Sequence, residues 1–99
     1  MARYDVHQLR DSDNLVLDIQ SDILDHLETR VVVPLMPPAG IPGPLGRLHP
    51  SFDVNGQSYI LATQLIGAVP LRSLGKRVVS LDAEHYAISA ALDMLIAGY

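Results

Sequence analysis

The chain has no cysteine and no tryptophan, only one phenylalanine and four tyrosines in 99 residues, and few charges (18%). Without cysteine there is no disulfide framework, no thiolate zinc site and no cysteine nucleophile. No uninterrupted apolar run approaches the ~20 residues needed to cross a bilayer, which argues against a membrane partner. No charged-then-apolar start marks a secretory signal. Basic residues are scarce too: seven Lys+Arg against eleven Asp+Glu give a formal charge of −4 and a pI near 5.3. That balance argues against holding bulk nucleic acid by phosphate neutralisation. What is present is apolar: 48% of the residues, enough for a packed core rather than a disordered coil. At this length the chain supports one domain, residues 1–99, with one core. The expectation is a small soluble domain of the cytoplasm.

The strand signals come early. Tyr4 and Val6 alternate with polar residues through Leu9, and Leu15, Leu17 and Ile19 share one face of a second run. The polar cluster Arg10-Asp11-Ser12-Asp13-Asn14 between them predicts a β-hairpin. Residues 20–28 hold Ile23, Leu24 and Leu27 among Asp22, Asp25 and Glu28. Without a strand period they read as an exposed loop with a helical turn begun by Ser21 or Asp22. Arg30-Val31-Val32-Val33-Pro34-Leu35 is a strand whose Pro34, lacking an amide donor, belongs at an edge or bulge. Prolines 34, 37, 38, 42 and 44 and glycines 40, 43 and 46 make residues 36–46 an irregular loop. Asn55-Gly56 between Ser51–Val54 and residues 58–62 signals a type I′ hairpin. A short strand is expected to end at Pro70, a turn at Leu74-Gly75-Lys76, and a last extended piece or helical approach at residues 77–80.

The terminal helix is predicted from Asp82 as N-cap, Glu84 in the first turn and Gly98 just past the end. Ile88, Ala91, Leu92 and Leu95 form one apolar stripe. Ala83, Ala87, Ala90, Met94 and Ala97 form a second, beside Tyr86. Only His85, Ser89 and Asp93 make a polar face, and Ile96 interrupts it. A helix apolar on most of its circumference needs cover on two sides. Its own sheet supplies one, and a second copy of the chain, meeting Ala90, Met94 and Ala97, is expected to supply the other. The fold class is mainly β with one C-terminal helix: a curved antiparallel sheet or small SH3-like barrel.

Signals for chemistry are sparse. Histidines 7, 26, 49 and 85 form no spaced pair for a metal, and no cofactor motif is present. The carboxylates lack the paired environments of acid–base catalysis, and the serines lack a nucleophile-elbow context. No catalytic constellation emerges from these residues. Ribonuclease action through Arg30 or Arg72 is kept as an alternative. The aromatics read as mainly structural, except that Tyr99 ends the helix with an apolar tip fit for a partner.

Several segments together resemble the CcdB family, toxins of CcdA–CcdB-type toxin–antitoxin pairs. Leu17-Asp18-Ile19-Gln20-Ser21-Asp22-Ile23-Leu24-Asp25 is similar to the family's VDVQSDIID-type segment. Arg30-Val31-Val32-Val33-Pro34-Leu35 is similar to its R-x-V-I-P-L strand, and Leu48-His49-Pro50, Ala68-Val69-Pro70-Leu71 and Leu74-Gly75 follow at matching spacing. The resemblance implies a CcdB/Kid-like homodimer that binds the GyrA subunit of DNA gyrase and poisons it, an inhibitory binding protein rather than an enzyme. It implies neutralisation by a CcdA-like antitoxin, and autorepression through operator DNA bound only by the toxin–antitoxin complex. It assigns gyrase contact to Ile23, Leu24, Gly98 and Tyr99, and antitoxin contact to Pro70. One position departs: the family's helix ends W-G-I, whereas this chain has Ala97-Gly98-Tyr99. A non-toxic or retargeted binding protein of the same fold is the alternative this departure raises.

Overall fold

The computed structural model describes residues 2–99. Its strands are β1 (Asp5–Leu9), β2 (Leu15–Asp18), β3 (Thr29–Met36), β4 (Ser51–Val54), β5 (Gln57–Leu61), β6 (Gly67–Pro70) and β7 (Leu74–Ser80). Helix α1 (His85–Ala97) closes the chain. The strands form one antiparallel sheet in the order β4-β5-β3-β2-β1-β7, with β6 also paired to β3. The sheet is curled and mainly β with one terminal helix, as the patterning predicts.

Alternation explains the inner face. Val6, Leu17, Val33, Leu35, Leu61 and Phe52 point inward and meet Ile88 and Ala91 of α1 in the main core. The outer face is not left to water: Val16, Val32 and Leu74 form a second cluster with Leu9 and Val69. Burying apolar side chains on both faces forces the sheet to curl over itself. A third cluster of Ile41, Ile60, Ala62 and Met36 pins the proline-rich segment, where Pro38–Gly40 makes a 3₁₀ turn.

The hairpin at Asn55-Gly56 has both central residues at positive φ (52° and 87°), the type I′ geometry that the dipeptide signals. Three local expectations are corrected. Leu74-Gly75-Lys76 is no turn but the start of β7; its glycine is there because a Cβ at position 75 would lie 2.7 Å from the Gln8 carbonyl oxygen of β1. Gly75→Ala is therefore expected to wedge the two strands apart. It should cost about 1–3 kcal/mol, read as a lower urea midpoint at unchanged slope.

Asp82 is not the N-cap of the helix. It opens a 3₁₀ turn, Asp82–Glu84, and α1 starts from Glu84 with no side-chain cap. The His85 imidazole uses Nδ1 on the Asp82 carbonyl instead, at 3.0 Å. Gly98 does end the helix in the left-handed conformation at φ 82°, donating its N–H to the Asp93 and Met94 carbonyls. Pro34 lies at no outer edge of the sheet. It sits inside β3, paired with Val16 of β2 on one side. On the other side β3 changes partner, from β6 at residues 29–32 to β5 at residues 35 and 36. The missing donor falls at that seam.

Candidate functional site: a clamped turn, a helix face and a groove

The connection from β2 to β3 carries the most exposed large apolar side chain among the described residues. Ile23 is 84% exposed, and Leu24 and Leu27 are partly exposed, around the 3₁₀ turn Asp22–Leu24. Ser21 caps that turn, its hydroxyl accepting from the Ile23 N–H at 3.3 Å. Ile23 and Leu24 thus stand together on one protrusion, in a loop with a helical turn, as the sequence predicts.

Beneath the turn lies a buried polar network. Asp18 ends β2 and Arg30 begins the buried part of β3; neither is more than 1% exposed. The Arg30 guanidinium grips the Asp18 carboxylate, with Nη2 at 2.6 Å and Nε at 2.9 Å. Gln20, itself buried, is held at every polar atom. Its N–H donates to Asp18 Oδ1 and its carbonyl accepts from Arg30 Nη2. Its Oε1 accepts from the Val31 N–H at 3.0 Å, and its Nε2 donates to the Leu24 carbonyl at 2.9 Å. Asp22 accepts from the Arg3 N–H at 2.9 Å. That approach depends on Tyr4, a buried non-glycine residue at φ 73°, which bends the chain back towards the turn.

Arg30 therefore is not a nuclease candidate; burial in the ion pair removes it from any substrate. Alternation puts Asp18 on the face opposite Leu15, Leu17 and Ile19. Val16 and Val32 share that face with Asp18 and Arg30, and their apolar character was the available sign that it is covered.

The helix presents the second feature. Ile88 and Ala91 are buried, while Tyr86 (81%), Ile96 (78%) and Tyr99 (78%) stand in solvent, with Met94 and Ala97 exposed and Ala90 half-buried between them. Tyr4 and Phe52 lie in the main core and Tyr59 packs against it, as the structural reading of the aromatics expects; Tyr86 departs from that reading, and Tyr99 stands exposed at the helix end. Ala90, Met94 and Ala97 lie on one exposed apolar stripe, and Gly98 and Tyr99 form its end. Pro70 lies in β6 opposite Thr29. The Leu71 N–H donates to the Glu28 carbonyl at 2.8 Å and ties that strand end to the loop carrying Ile23 and Leu24.

The third feature is an open groove of about 520 Å³ lined by Arg10, Glu28, Leu71, Arg72 and Leu74. Arg10 donates through Nε to the Leu74 carbonyl at 3.2 Å, which leaves its terminal nitrogens free. Among the described residues neither Arg10 nor Arg72 makes an ion pair. Two guanidiniums outside any ion pair and one carboxylate around a cleft can bind a phosphodiester and take a proton from a hydroxyl beside it. Sequence reading singled out Arg72 but not Arg10 and Glu28, which converge only in the fold.

This architecture is that of the CcdB/Kid/MazF-like toxin fold. Mycobacterium tuberculosis toxin MazF-mt6 superposes with a TM-score of 0.78 over 94% of this chain and 96% of its own, at 17% identity. An endoribonuclease in complex with its cognate antitoxin, from a mycobacterial species, gives 0.81 over 98% and 95%, at 14% identity. Within the fold, the CcdB protein family matches residues 3–98, and the chain belongs to that family. The neighbours correct one expectation. The reading of an inhibitory binding protein without enzymatic activity does not stand, because the same sheet and helix carries endoribonucleases. The lack of a familiar catalytic motif therefore excludes no nuclease chemistry. No helix is long and apolar enough to cross a membrane among the described residues.

Proposed function

We propose that this chain is the toxin of a type II toxin–antitoxin pair, directed at the GyrA subunit of DNA gyrase. The observation that carries the reading is Ile23, an aliphatic side chain 84% exposed on a turn held rigid from below. An exposed apolar anchor on a fixed support is what a docking surface requires, since little ordering entropy is lost on binding. Leu24 widens the anchor, and Gly98 and Tyr99 at the helix end supply a second contact. The exposed stripe of Ala90, Met94 and Ala97 pairs two copies into a homodimer. A CcdA-like antitoxin meets β6 at Pro70, and operator DNA is bound by the toxin–antitoxin complex.

Ala97 stands where the family has tryptophan, so the helix end contributes less here and the turn more. Truncating a buried aromatic anchor costs ~2 kcal/mol or more. The test is a DNA-cleavage assay with purified gyrase. Wild type is expected to stabilise cleaved DNA, and Ala97→Trp to do so at concentrations about tenfold lower or better. Cleavage by Ala97→Trp alone would assign the natural chain another target.

A ribonuclease reading is favoured by the groove of Arg10, Glu28 and Arg72. Attack of a ribose 2′-hydroxyl on the adjacent phosphorus forms a 2′,3′-cyclic phosphate as the P–O5′ bond breaks and solvent protonates the departing 5′-oxygen. It needs an acceptor for the 2′-hydroxyl proton and charge stabilisation on the phosphoryl oxygens. Glu28 fits the first role and the two guanidiniums the second. On this reading Arg10→Ala/Arg72→Ala loses RNA cleavage by ~100-fold or more, while gyrase-dependent DNA cleavage is unchanged.

A further inference from the structure

We infer that Gln20 is a positioning residue: its buried carboxamide sets the conformation in which Ile23 and Leu24 are presented to a target. The docking role of those two residues rests on the reading above; the positioning rests on geometry alone. The argument begins with the turn. Three residues of 3₁₀ helix, exposed throughout and containing no buried side chain, have little tertiary packing of their own to hold them. Isolated short helical turns are unstable in water, so the order of this one must come from outside it.

The Gln20 side chain reaches from the sheet to the turn and hydrogen-bonds both, while Arg30 adds a longer ion-pair contact to Asp22 at 4.0 Å. Gln20 Oε1 takes the Val31 N–H of β3, and Nε2 gives a proton to the Leu24 carbonyl, at 3.0 and 2.9 Å. At neutral pH an amide is the one side-chain group of this length with an acceptor and a donor on the same carbon, a carboxyl having both only when protonated. Glutamate would offer acceptors at both ends and turn one against the Leu24 carbonyl. Methionine would fill the space and make neither bond. The Asp18–Arg30 pair completes the device by fixing the Gln20 main chain on both sides, N–H and carbonyl. The ion pair is the foundation, and the carboxamide is the strut.

The experiment compares the full-length wild type with Gln20→Met and Gln20→Glu by amide hydrogen exchange. The Leu24, Asp25 and Leu27 amides, bonded to the Ser21, Asp22 and Leu24 carbonyls, report the turn. They are expected to exchange about tenfold faster in both variants, after normalising to amides of β2 and β3 that report global opening. Gln20→Glu keeps the acceptor for Val31, so the Val31 amide stays protected in that variant and is released in Gln20→Met. Equal normalised rates at the turn in all three proteins would overturn the inference, even if either variant is less stable overall.

A second arm measures binding of an immobilised GyrA fragment. Gln20→Met is expected to weaken it about tenfold and to add little in an Ile23→Ala background, because both changes remove the same presented side chain. Full additivity of the two substitutions would also overturn the inference. If wild type itself does not bind the fragment, the gyrase reading fails, and the exchange comparison still decides the positioning role.

Discussion

Arg30→Met is expected to remove a large share of the folding stability. The Asp18 carboxylate is 0% exposed and the guanidinium is the one cation within ion-pair distance of it among the described residues. Removing that cation leaves a buried charge with only the Gln20 N–H to solvate it. Breaking a buried pair from one side costs about 3–5 kcal/mol, against a total stability of about 5–15 kcal/mol for an ordinary domain. The double change Asp18→Leu/Arg30→Met removes both charges and should recover much of the loss, because desolvating the pair offsets most of its attraction. Urea denaturation followed by circular dichroism reads all three proteins. A loss below about 1 kcal/mol for the single change would mean that the carboxylate is not the isolated charge described here. The double variant has a further use: with the fold restored and the main-chain supports of Gln20 removed, its turn should still exchange faster than in wild type.

Ile23→Asp is expected to have the opposite profile, with no effect on folding and a large effect on docking. In the free protein the side chain is 84% exposed and contributes almost nothing to the core. Substitution at such a position changes stability by no more than about 0.5 kcal/mol. In the proposed complex the substitution would press a carboxylate into an apolar contact. Losing the anchor costs ~2 kcal/mol or more, roughly thirtyfold in affinity. Growth arrest on expression and gyrase-dependent DNA cleavage should both disappear while the urea midpoint stays put. If arrest persists and RNA cleavage accompanies it, the groove of Arg10, Glu28 and Arg72 takes over as the site of action.

The hairpins were legible because they rest on local rules: Asn55-Gly56 selects its turn by backbone preference alone, and Leu15, Leu17 and Ile19 declare their face by period. The same holds for the helix stripe of Ile88, Ala91, Leu92 and Leu95 and for Gly98. Misreadings arose where a long-range neighbour decides. Gly75 looks like a turn glycine until β1 is seen to press the Gln8 carbonyl against it. Asp82 looks like a cap until the preceding 3₁₀ turn displaces the helix start to His85. The network under the turn was hidden for a related reason. Asp18, Gln20 and Arg30 are polar, and polarity reads as solvent exposure unless the second apolar face of the sheet is recognised first. Ile23 and Leu24 were found through likeness to a family segment, while their support was not.

The seam in β3 has a consequence for how this small sheet avoids its own self-association. Where a strand trades one neighbour for another, an ordinary residue leaves one amide hydrogen pointing into the gap, a natural foothold for a foreign strand. At residue 34 that hydrogen does not exist, and the remaining carbonyl is taken by the Ala62 N–H at 2.9 Å. The proline thus closes the gap to invasion by leaving nothing there to grasp.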